Sequence, residues 1–458
     1  MKKMALAVLT LVGCVTAPVP NIGTEPDVPA GGGAEAVSGF DGESNGFASA
    51  ETFKDDQEEF DAIESVADGL GPLYNAQSCR ECHQNPLSGG GSQVTEVRAG
   101  HRDAQGRFQA PRVPIARGSA FVEGRTLIND RAICPSGAFP DQEIQEHVPG
   151  IDTIRTLRLS ISVLGDGLVE SVADDFLRGI SARQCKETQG QICGLVVEVP
   201  VLEAQGEYRV GRFGWKNQQA SLLSFSADAY LNEMGITSRL QPDEATTICD
   251  TVKDPEDNPV AEPSRAARLK ARTARAVAVE PPVADIDRFA RFMRATKAPP
   301  RDATLAATEA ARRGSQQFDR AGCATCHVRT MVTAPEGTKI NGGTFAVPPA
   351  LASRLFHPFS DFLLHDVGTG DGIEVSILEH HGRKFAYMQE RMSPTANRIR
   401  TAPLWGLRTR SRLMHDGLSL TVRDAIHRHR GEANDSRRRF EALGDPEQQE
   451  LLTFMQSL

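Results

Sequence analysis

The pattern Cys-x-x-Cys-His occurs twice in the chain, and it constrains the possible folds more than any other feature. The two copies are SCRECH at 78–83 and GCATCH at 322–327. A Cys-x-x-Cys pair can be a dithiol redox site, part of a zinc site or, when His follows directly, an attachment site for c-type haem. A dithiol does not need the His, and zinc sites usually combine two pairs at short separation. Two complete copies therefore favour haem.

Each copy assigns three residues to one haem. The two cysteines form thioethers with the vinyl groups, and the His binds the iron from the proximal side. We therefore predict two covalently bound haem c groups. The attachment residues and proximal ligands are Cys79, Cys82, His83, Cys323, Cys326 and His327.

The N-terminus resembles an export signal. Lys2 and Lys3 precede a short apolar run, 4–12, that is too short to span a bilayer as a helix. The run ends in LVGC, which resembles the lipobox of bacterial lipoproteins and would make Cys14 the acylated N-terminus. We expect residues 1–13 to be removed and the protein to be lipid-anchored at the periplasmic face of a bacterial membrane. The alternative is a non-lipidated signal with a chance Cys.

Composition divides the rest of the chain. Residues 14–50 are rich in Pro, Gly and acidic residues and predict a flexible tether. Residues 253–300 begin with a Pro-rich, charged stretch and predict a linker. The linker separates an N-terminal haem c domain, 51–252, from a C-terminal haem c domain, 301–458. A chain of 458 residues is long enough for two such domains.

Apolar residues at helical spacing flank both motifs and predict a mainly α fold. Gly314 suits a close helix crossing, and Asp445 with Pro446 suits the start of a C-terminal helix. We expect two class I cytochrome c-like domains with a few short strands and long loops. The apolar positions are Phe60, Ile63, Val66, Leu70, Leu305, Ala311, Phe318, Leu451, Leu452, Met455 and Leu458.

Four cysteines remain outside the motifs and the lipobox, an even number that predicts two disulfides in an exported protein. Cys185 and Cys193 bracket a short polar loop, so they are expected to pair. That pairing leaves Cys134 with Cys249, and it is one of three possible arrangements.

Several stretches resemble the bacterial di-haem oxidoreductase family, which is also named for thiol oxidoreductase activity and is related to the dihaem cytochrome c peroxidases. The stretches occur in the family's order from about residue 51 to the end of the chain. A literal thiol oxidoreductase is the least favoured activity, because thioethers would consume the motif cysteines. The stretches are GPLYNAQSCRECH, GRFGWKNQQASLLSFSADAYLNEMGITS, SDFLLHDVG, LMHDG and HRHRGEA.

The resemblance implies roles for further residues. Trp215 stands where the peroxidases have a Trp between the two haems that is implicated in electron transfer. Glu233 stands where they have a distal carboxylate that assists O–O cleavage. Met234 is a rival, because its thioether could ligate the N-terminal haem iron instead. His101 stands about where the peroxidases have a displaceable His ligand; the alternative is a loop His exposed to solvent.

The resemblance also bears on the C-terminal haem. His429 lies 14 residues after the turn residue His415, at the position of the distal ligand. A His there would give bis-His ligation and a lower potential than His/Met ligation. The peroxidases bind calcium through a Thr and a Pro where this chain has Arg410 and Arg412, so the resemblance does not extend to calcium. We expect arginines around this haem to pair with its propionates: Arg408, Arg410, Arg412, Arg428 and Arg430.

The resemblance thus implies a peroxidase-like oxidoreductase that reduces peroxide with electrons from a small donor protein, a cytochrome or a cupredoxin. Residues 1–300 carry 30 Lys and Arg against 42 Asp and Glu, which favours a basic donor. No basic-aromatic pattern indicates nucleic-acid binding. The alternatives are a non-enzymatic electron-transfer cytochrome with two six-coordinate irons and, third, oxidative modification of a protein partner.

Overall fold

The computed structural model describes residues 33–250, 283–374 and 395–458. The predicted export signal, residues 14–32 of the predicted tether, including Cys14, and residues 253–282 of the predicted linker lie outside these ranges. Helix covers 34% of the structure and strand 16%, in many small sheets, so the prediction of a mainly α fold is wrong. No helix within the described ranges is long and apolar enough to cross a membrane.

Helices are spread over the whole described chain. The α-helices in the described ranges are α1 (Ala50–Asp61), α2 (Cys79–Cys82), α3 (Asp141–Ile144), α4 (Asp166–Glu170), α5 (Asp174–Glu187), α6 (Leu222–Met234), α7 (Asp285–Ala295), α8 (Ala303–Ala306), α9 (Glu309–Ala321), α10 (Val422–Arg428), α11 (Asn434–Glu441) and α12 (Asp445–Gln456).

Strands are short apart from two. Those in the described ranges are β1 (Ala34–Glu35), β2 (Leu73–Tyr74), β3 (Thr95–Arg102), β4 (Phe108–Gln109), β5 (Val113–Ile115), β6 (Ala120–Val122), β7 (Leu127–Ile128), β8 (Arg131–Ala132), β9 (Ile154–Leu159), β10 (Glu198–Pro200), β11 (Tyr208–Val210), β12 (Met331–Val332), β13 (Lys339–Ile340), β14 (Phe345–Ala346), β15 (Arg354–Phe356), β16 (Leu364–His365) and β17 (Ile399–Arg400).

The two longest strands explain why the mainly α prediction failed. β3 pairs antiparallel with β9 along six residues, from Thr95 opposite Leu159 to Gly100 opposite Ile154. β4 and β7 also pair with β3. β3 begins with an alternation of β-branched and charged residues, from Thr95 to Arg98, as strands do. Helical spacing near the motifs is a local signal that does not account for the strands between residues 95 and 155, and alternation is evident in part only from Thr156 onward.

The N-terminal unit is built around α1, α6 and α7. Ser49 begins α1 by accepting a hydrogen bond from the backbone N–H of Thr52. Phe292 of α7 stacks on Phe53 of α1, with ring centroids 5.2 Å apart. α1 ends at Asp61, so the predicted helical pattern through Leu70 is wrong beyond that residue, and Ile63 is 73% exposed. α7 lies in the second part of the predicted linker and packs as part of this unit.

The C-terminal unit contains the predicted helix crossing. α9 packs against α12, and a Cβ at Gly314 would overlap the carbonyl oxygen of Glu450. Glycine is therefore required for the two backbones to approach this closely. Phe318 and Phe454 fill the contact in an edge-to-face arrangement, with centroids 5.4 Å apart. This crossing confirms the sequence-based expectation for Gly314.

Residues 33–49 connect the two units. β1 pairs in parallel with β15 of the C-terminal unit. The Asn45 side-chain amide donates to the carbonyls of Arg294 and Thr296, at 2.8 and 3.0 Å. This part of the predicted tether is therefore bound to the folded protein and is not free.

Both expected disulfides form. Cys185 at the end of α5 pairs with Cys193, and Cys134 pairs with Cys249. The second bridge joins positions 115 residues apart, so it restricts a long loop of the unfolded chain. The pairing chosen from the sequence is thus confirmed.

Candidate functional site

Each Cys-x-x-Cys-His motif folds as one tight turn. Ser78 caps α2 by accepting a hydrogen bond from the N–H of Glu81. The N–H of His83 donates to the carbonyl of Cys79, at 3.0 Å. In the second motif the N–H of His327 donates to Cys323 in the same way, also at 3.0 Å. The turns hold each His beside its two cysteines. All four motif cysteines are free thiols and half-buried.

His83 lines a cavity of about 430 Å³, within the range typical of ligand sites. Burial lowers the pKa of His83 to about 4. The ring is therefore neutral at pH 7 and has a lone pair available for a metal. We call this space the first cavity. Other residues that line it include Glu96, Arg98, Arg158, Trp215, Phe225, Glu233 and Arg400.

Two carboxyl groups share the first cavity. Glu233, at the end of α6, accepts a hydrogen bond from Asn75 Nδ2 at 2.8 Å and hydrogen-bonds to Glu96. Arg98 Nε donates to Glu96 at 2.7 Å. Burial and the neighbouring Glu96 raise the pKa of Glu233 well above its ordinary value. Burial opposes the ionisation of Glu96, but Arg98 still holds the pKa of Glu96 below its ordinary value. The pair thus carries one proton, on Glu233.

Two other predicted ligands lie outside the first cavity. Met234 is 3% exposed and packs in the largest hydrophobic cluster. His101 lies on β3, with Nδ1 2.7 Å from a buried carboxylate oxygen of Asp152. Neither residue lines the first cavity. Among the residues that the structure describes, His83 is the only His, Met or Cys that lines it.

The second motif lines a different cavity, together with His429. His327 Nδ1 donates to the carbonyl of Phe359 at 3.0 Å, and His429 Nδ1 donates to the carbonyl of Ala425 at 2.7 Å. Each ring therefore has its lone pair on Nε2. Burial, together with the neighbouring His429, lowers the pKa of His327 to about 4. We call this space the second cavity. It also contains Cys323 and Cys326.

Trp215 lines both cavities. Its indole N–H donates to the carbonyl of Leu159 at 2.7 Å, and its ring packs edge-on against His415 at a centroid distance of 6.0 Å. Leu159 and Arg400 also line both cavities. The structure therefore brings the predicted residues Trp215 and Glu233 together with His83, and it brings His429 together with His327.

The five predicted propionate-binding arginines separate into two groups. Arg410 and Arg412 line the second cavity. Arg408, Arg428 and Arg430 do not line it and bond elsewhere: Arg408 to the carbonyl of Leu458, Arg428 to Asp416, and Arg430 to backbone carbonyls.

Arg400 was not identified from the sequence. It is 5% exposed, and burial lowers its pKa to about 10. Its Nη1 donates to the carbonyl of Arg212 at 2.7 Å, and its Nε has no partner among the described residues. A buried guanidinium with an unused N–H at the wall of two cavities suits a carboxylate ligand such as a haem propionate.

Three residues of the carboxyl network were also missed. Asn75 lies inside the stretch GPLYNAQSCRECH, and Glu96 and Arg98 lie two apart on β3, so their side chains share one strand face. Two residues of opposite charge on one face of a strand could have indicated a polar site. The residues present fit haem at both motifs: a neutral His beside paired cysteines, an adjoining cavity and buried guanidinium groups.

Comparisons with known proteins agree with this chemistry. Residues 141–458 match the model of a family described as "Di-haem oxidoreductase, putative peroxidase". No curated protein matches the chain.

Three solved structures illustrate the range of structural similarity. The match to hydrazine synthase of Kuenenia stuttgartiensis has 12% sequence identity, covers 100% of both chains and has a TM-score of 0.35. A MauG-like protein associated with microbial copper homeostasis is 17% identical over 54% of this chain and 71% of its own, with a TM-score of 0.30. A variant of the diheme peroxidase BthA from Burkholderia thailandensis is 13% identical over 89% of this chain and 85% of its own, with a TM-score of 0.35. Similarity this low supports no functional argument.

Proposed function

The chain belongs to the di-haem oxidoreductase family, and on that basis we propose that it reduces peroxide with electrons from a small redox protein. One observation carries the proposal. The second cavity offers an iron His327 and His429 as ligands and is also lined by His415, whereas the first offers His83 on one wall and a carboxyl pair among the other residues. When haem is bound, an iron with an open sixth position can react with peroxide, and a six-coordinate iron transfers electrons.

The reduction of one hydrogen peroxide molecule to two waters consumes two electrons and two protons. Glu233 is the group that would supply protons, because it is protonated and lies in the first cavity. Loss of its proton would leave two adjacent carboxylates, Glu96 and Glu233, whose repulsion favours the return of a proton. Arg98 would limit that repulsion by neutralising Glu96. This arrangement suits a group that donates protons repeatedly.

Trp215 would lie on the electron route. It lines the cavity of His83 and the cavity of His327 and His429, and its N–H is fixed to Leu159. A fixed indole between two redox centres can relay an electron without moving. We propose that Trp215 is this relay. We also propose that an iron in the second site would be six-coordinate.

Covalent attachment and location belong to the same proposal. The thioethers would form at Cys79, Cys82, Cys323 and Cys326, which are free and placed beside their histidines. Haem c is attached outside the cytoplasm, in agreement with an export signal and a lipid anchor at Cys14. The donor would be a small cytochrome or cupredoxin of the same compartment.

Spectroscopy of the haem-loaded protein tests the proposal. Optical and EPR spectra are recorded for the oxidised and half-reduced forms, with and without hydrogen peroxide. We expect one low-spin iron in every state, and one high-spin iron that reacts with peroxide. Two low-spin irons that are inert to peroxide would establish the electron-transfer alternative instead, and a protein without haem would contradict both.

A further inference from the structure

His365, the second residue of β16, lies between two carboxylates and is 1% exposed. Its Nε2 is 2.8 Å from Asp361 Oδ2, and its Nδ1 is 2.8 Å from Glu432 Oε2. A neutral imidazole has one N–H and can donate to only one of them. Two carboxylate partners at hydrogen-bond distance therefore indicate an imidazolium.

Four charged groups form this cluster, and their charges balance. Arg398 Nη1 donates to the other oxygen of Glu432 at 2.7 Å. His365 and Arg398 thus offset Asp361 and Glu432. The loop closed by the Cys185–Cys193 disulfide also holds the cluster, because the N–H of Cys193 donates to Glu432 at 3.2 Å.

The cluster touches the second haem motif. His365 Nδ1 lies 3.9 Å from Cys326 Sγ. Gln184 Nε2 donates both to Asp361, at 2.6 Å, and to the carbonyl of Thr325 inside the motif turn, at 2.7 Å. The positive ring is therefore fixed in position at the cysteine that would carry a thioether.

Buried ion clusters rarely add stability, because removing each charge from water is costly. The position of the cluster, beside Cys326 and the second motif turn, points to an electrostatic role. A haem iron carries one more positive charge when oxidised than when reduced. A cation fixed nearby destabilises the oxidised form and favours reduction.

We propose that the positive charge of His365 raises the reduction potential of the haem attached at Cys326. Its charge would counteract the lowering of that potential by the ligands His327 and His429. The inference rests on the proposed function for the presence of that haem. Within that function, His365 would determine which donors have a low enough potential to reduce the protein.

The experiment is a spectroelectrochemical titration of the haem-loaded full chain. His365→Gln keeps a hydrogen-bonding side chain but removes the charge, so we expect the midpoint potential of the C-terminal haem to fall. The N-terminal haem should titrate unchanged. His357→Gln is the matched control, since His357 also bonds a carboxylate, Glu35 at 3.2 Å, but lies outside the cluster. It should shift neither potential.

Glu432→Gln separates charge from structure. It removes a negative charge from the same cluster and should raise the potential of the C-terminal haem, whereas structural damage would move both variants in the same direction. His365→Lys restores a positive charge and should return the potential toward that of the wild type. If His365→Gln loses haem, Glu432→Gln still decides the question.

Unchanged potentials in both charge variants, or shifts in the same direction, would overturn the inference. The proposed function has a separate readout. If the potentials shift as expected but the wild-type protein does not consume peroxide, the role of His365 stands and the peroxidase proposal fails.

Discussion

At the residue scale, the Glu233 carboxyl is held by groups from two other chain segments. Asn75 precedes the first motif, and Glu96 and Arg98 come from β3. A carboxyl group with a raised pKa and a fixed direction can give its proton to a ligand in the first cavity. Its chemistry therefore depends on the neighbours as much as on Glu233 itself.

Replacement of Glu233 by Gln removes the proton donor and keeps the side-chain shape. We expect peroxide consumption to slow by roughly 10²–10⁴-fold, the range typical of general acid–base catalysis. Haem content, measured by optical absorbance, should not change. Glu58→Gln, on the exposed face of α1, is the control and should leave turnover intact. Wild-type turnover in Glu233→Gln would remove this residue from the mechanism.

Glu96→Gln tests the shared proton through the pH profile. Activity that needs protonated Glu233 is present below the pKa of Glu233 and is lost as the pH rises through it. Because the charge of Glu96 helps to keep that pKa high, its removal should move the alkaline limit of activity to lower pH. Steady-state rates across the pH range measure the shift. An unchanged limit would show that the two carboxyl groups are not coupled.

His429→Ala should open the second iron. The EPR spectrum of the oxidised protein should lose the low-spin bis-His signal and gain a second high-spin signal. His427→Ala is the neighbouring control, because His427 bonds Glu441 at 3.0 Å and does not line the second cavity. A persistent low-spin signal in His429→Ala would indicate another ligand, and His415 lines the same cavity.

The sequence could predict those residues that carry a local signature. The two motifs, and the positions of Trp215 and His429, follow from short patterns and their resemblance to a family. The choice between Glu233 and Met234 does not, since adjacent helix residues point about 100° apart and only the packing of α6 decides which faces the cavity. Glu96 and Arg400 meet their partners through long-range contacts, which no local pattern reveals.

At the element scale, the sequence predicts which helices contact each other better than it predicts where the helices end. α9 and α12 cross as expected, because Gly314 and the apolar residues of both helices specify the contact. α1 stops at Asp61 although apolar residues continue at helical spacing, and Ile63 points into solvent. The spacing of apolar residues predicts which face of a helix is buried. It does not predict where the helix ends, because tertiary packing decides that. β3 and β9 were missed because strand pairing joins residues 54 to 64 positions apart.

Gly314→Ala should destabilise the protein by about 1–3 kcal/mol, since the new Cβ overlaps the Glu450 carbonyl of α12 and forces the helices apart. Gly179→Ala is the matched control within α5. No atom lies within 4 Å of a Cβ at Gly179. It should stabilise the helix by about 0.5–1 kcal/mol. Denaturant unfolding of the haem-loaded variants measures both, and equal effects would contradict the close crossing.

At the scale of the whole molecule, charge is unevenly distributed along the chain. Residues 1–300 are net acidic and residues 301–458 carry 21 basic against 18 acidic residues. A basic donor protein should therefore associate faster at low ionic strength. In stopped-flow experiments, the rate of reduction by a basic small cytochrome should fall as salt is added, and the rate of reduction by an acidic one should rise. Salt weakens both the attraction and the repulsion, because the screening length shortens to about 8 Å at 0.15 M. Rates independent of salt would exclude electrostatic attraction.

The wall that contains Trp215, Leu159 and Arg400 bounds both cavities. The second cavity also takes lining residues from near the first motif, among them Asn85 and Gln93, and the first takes Ile373 from beyond the second motif. Neither half of the chain therefore encloses a complete cofactor chamber of its own. The cavity at each motif therefore depends on residues from the other half of the chain. The two halves are not interchangeable modules that could be excised or recombined.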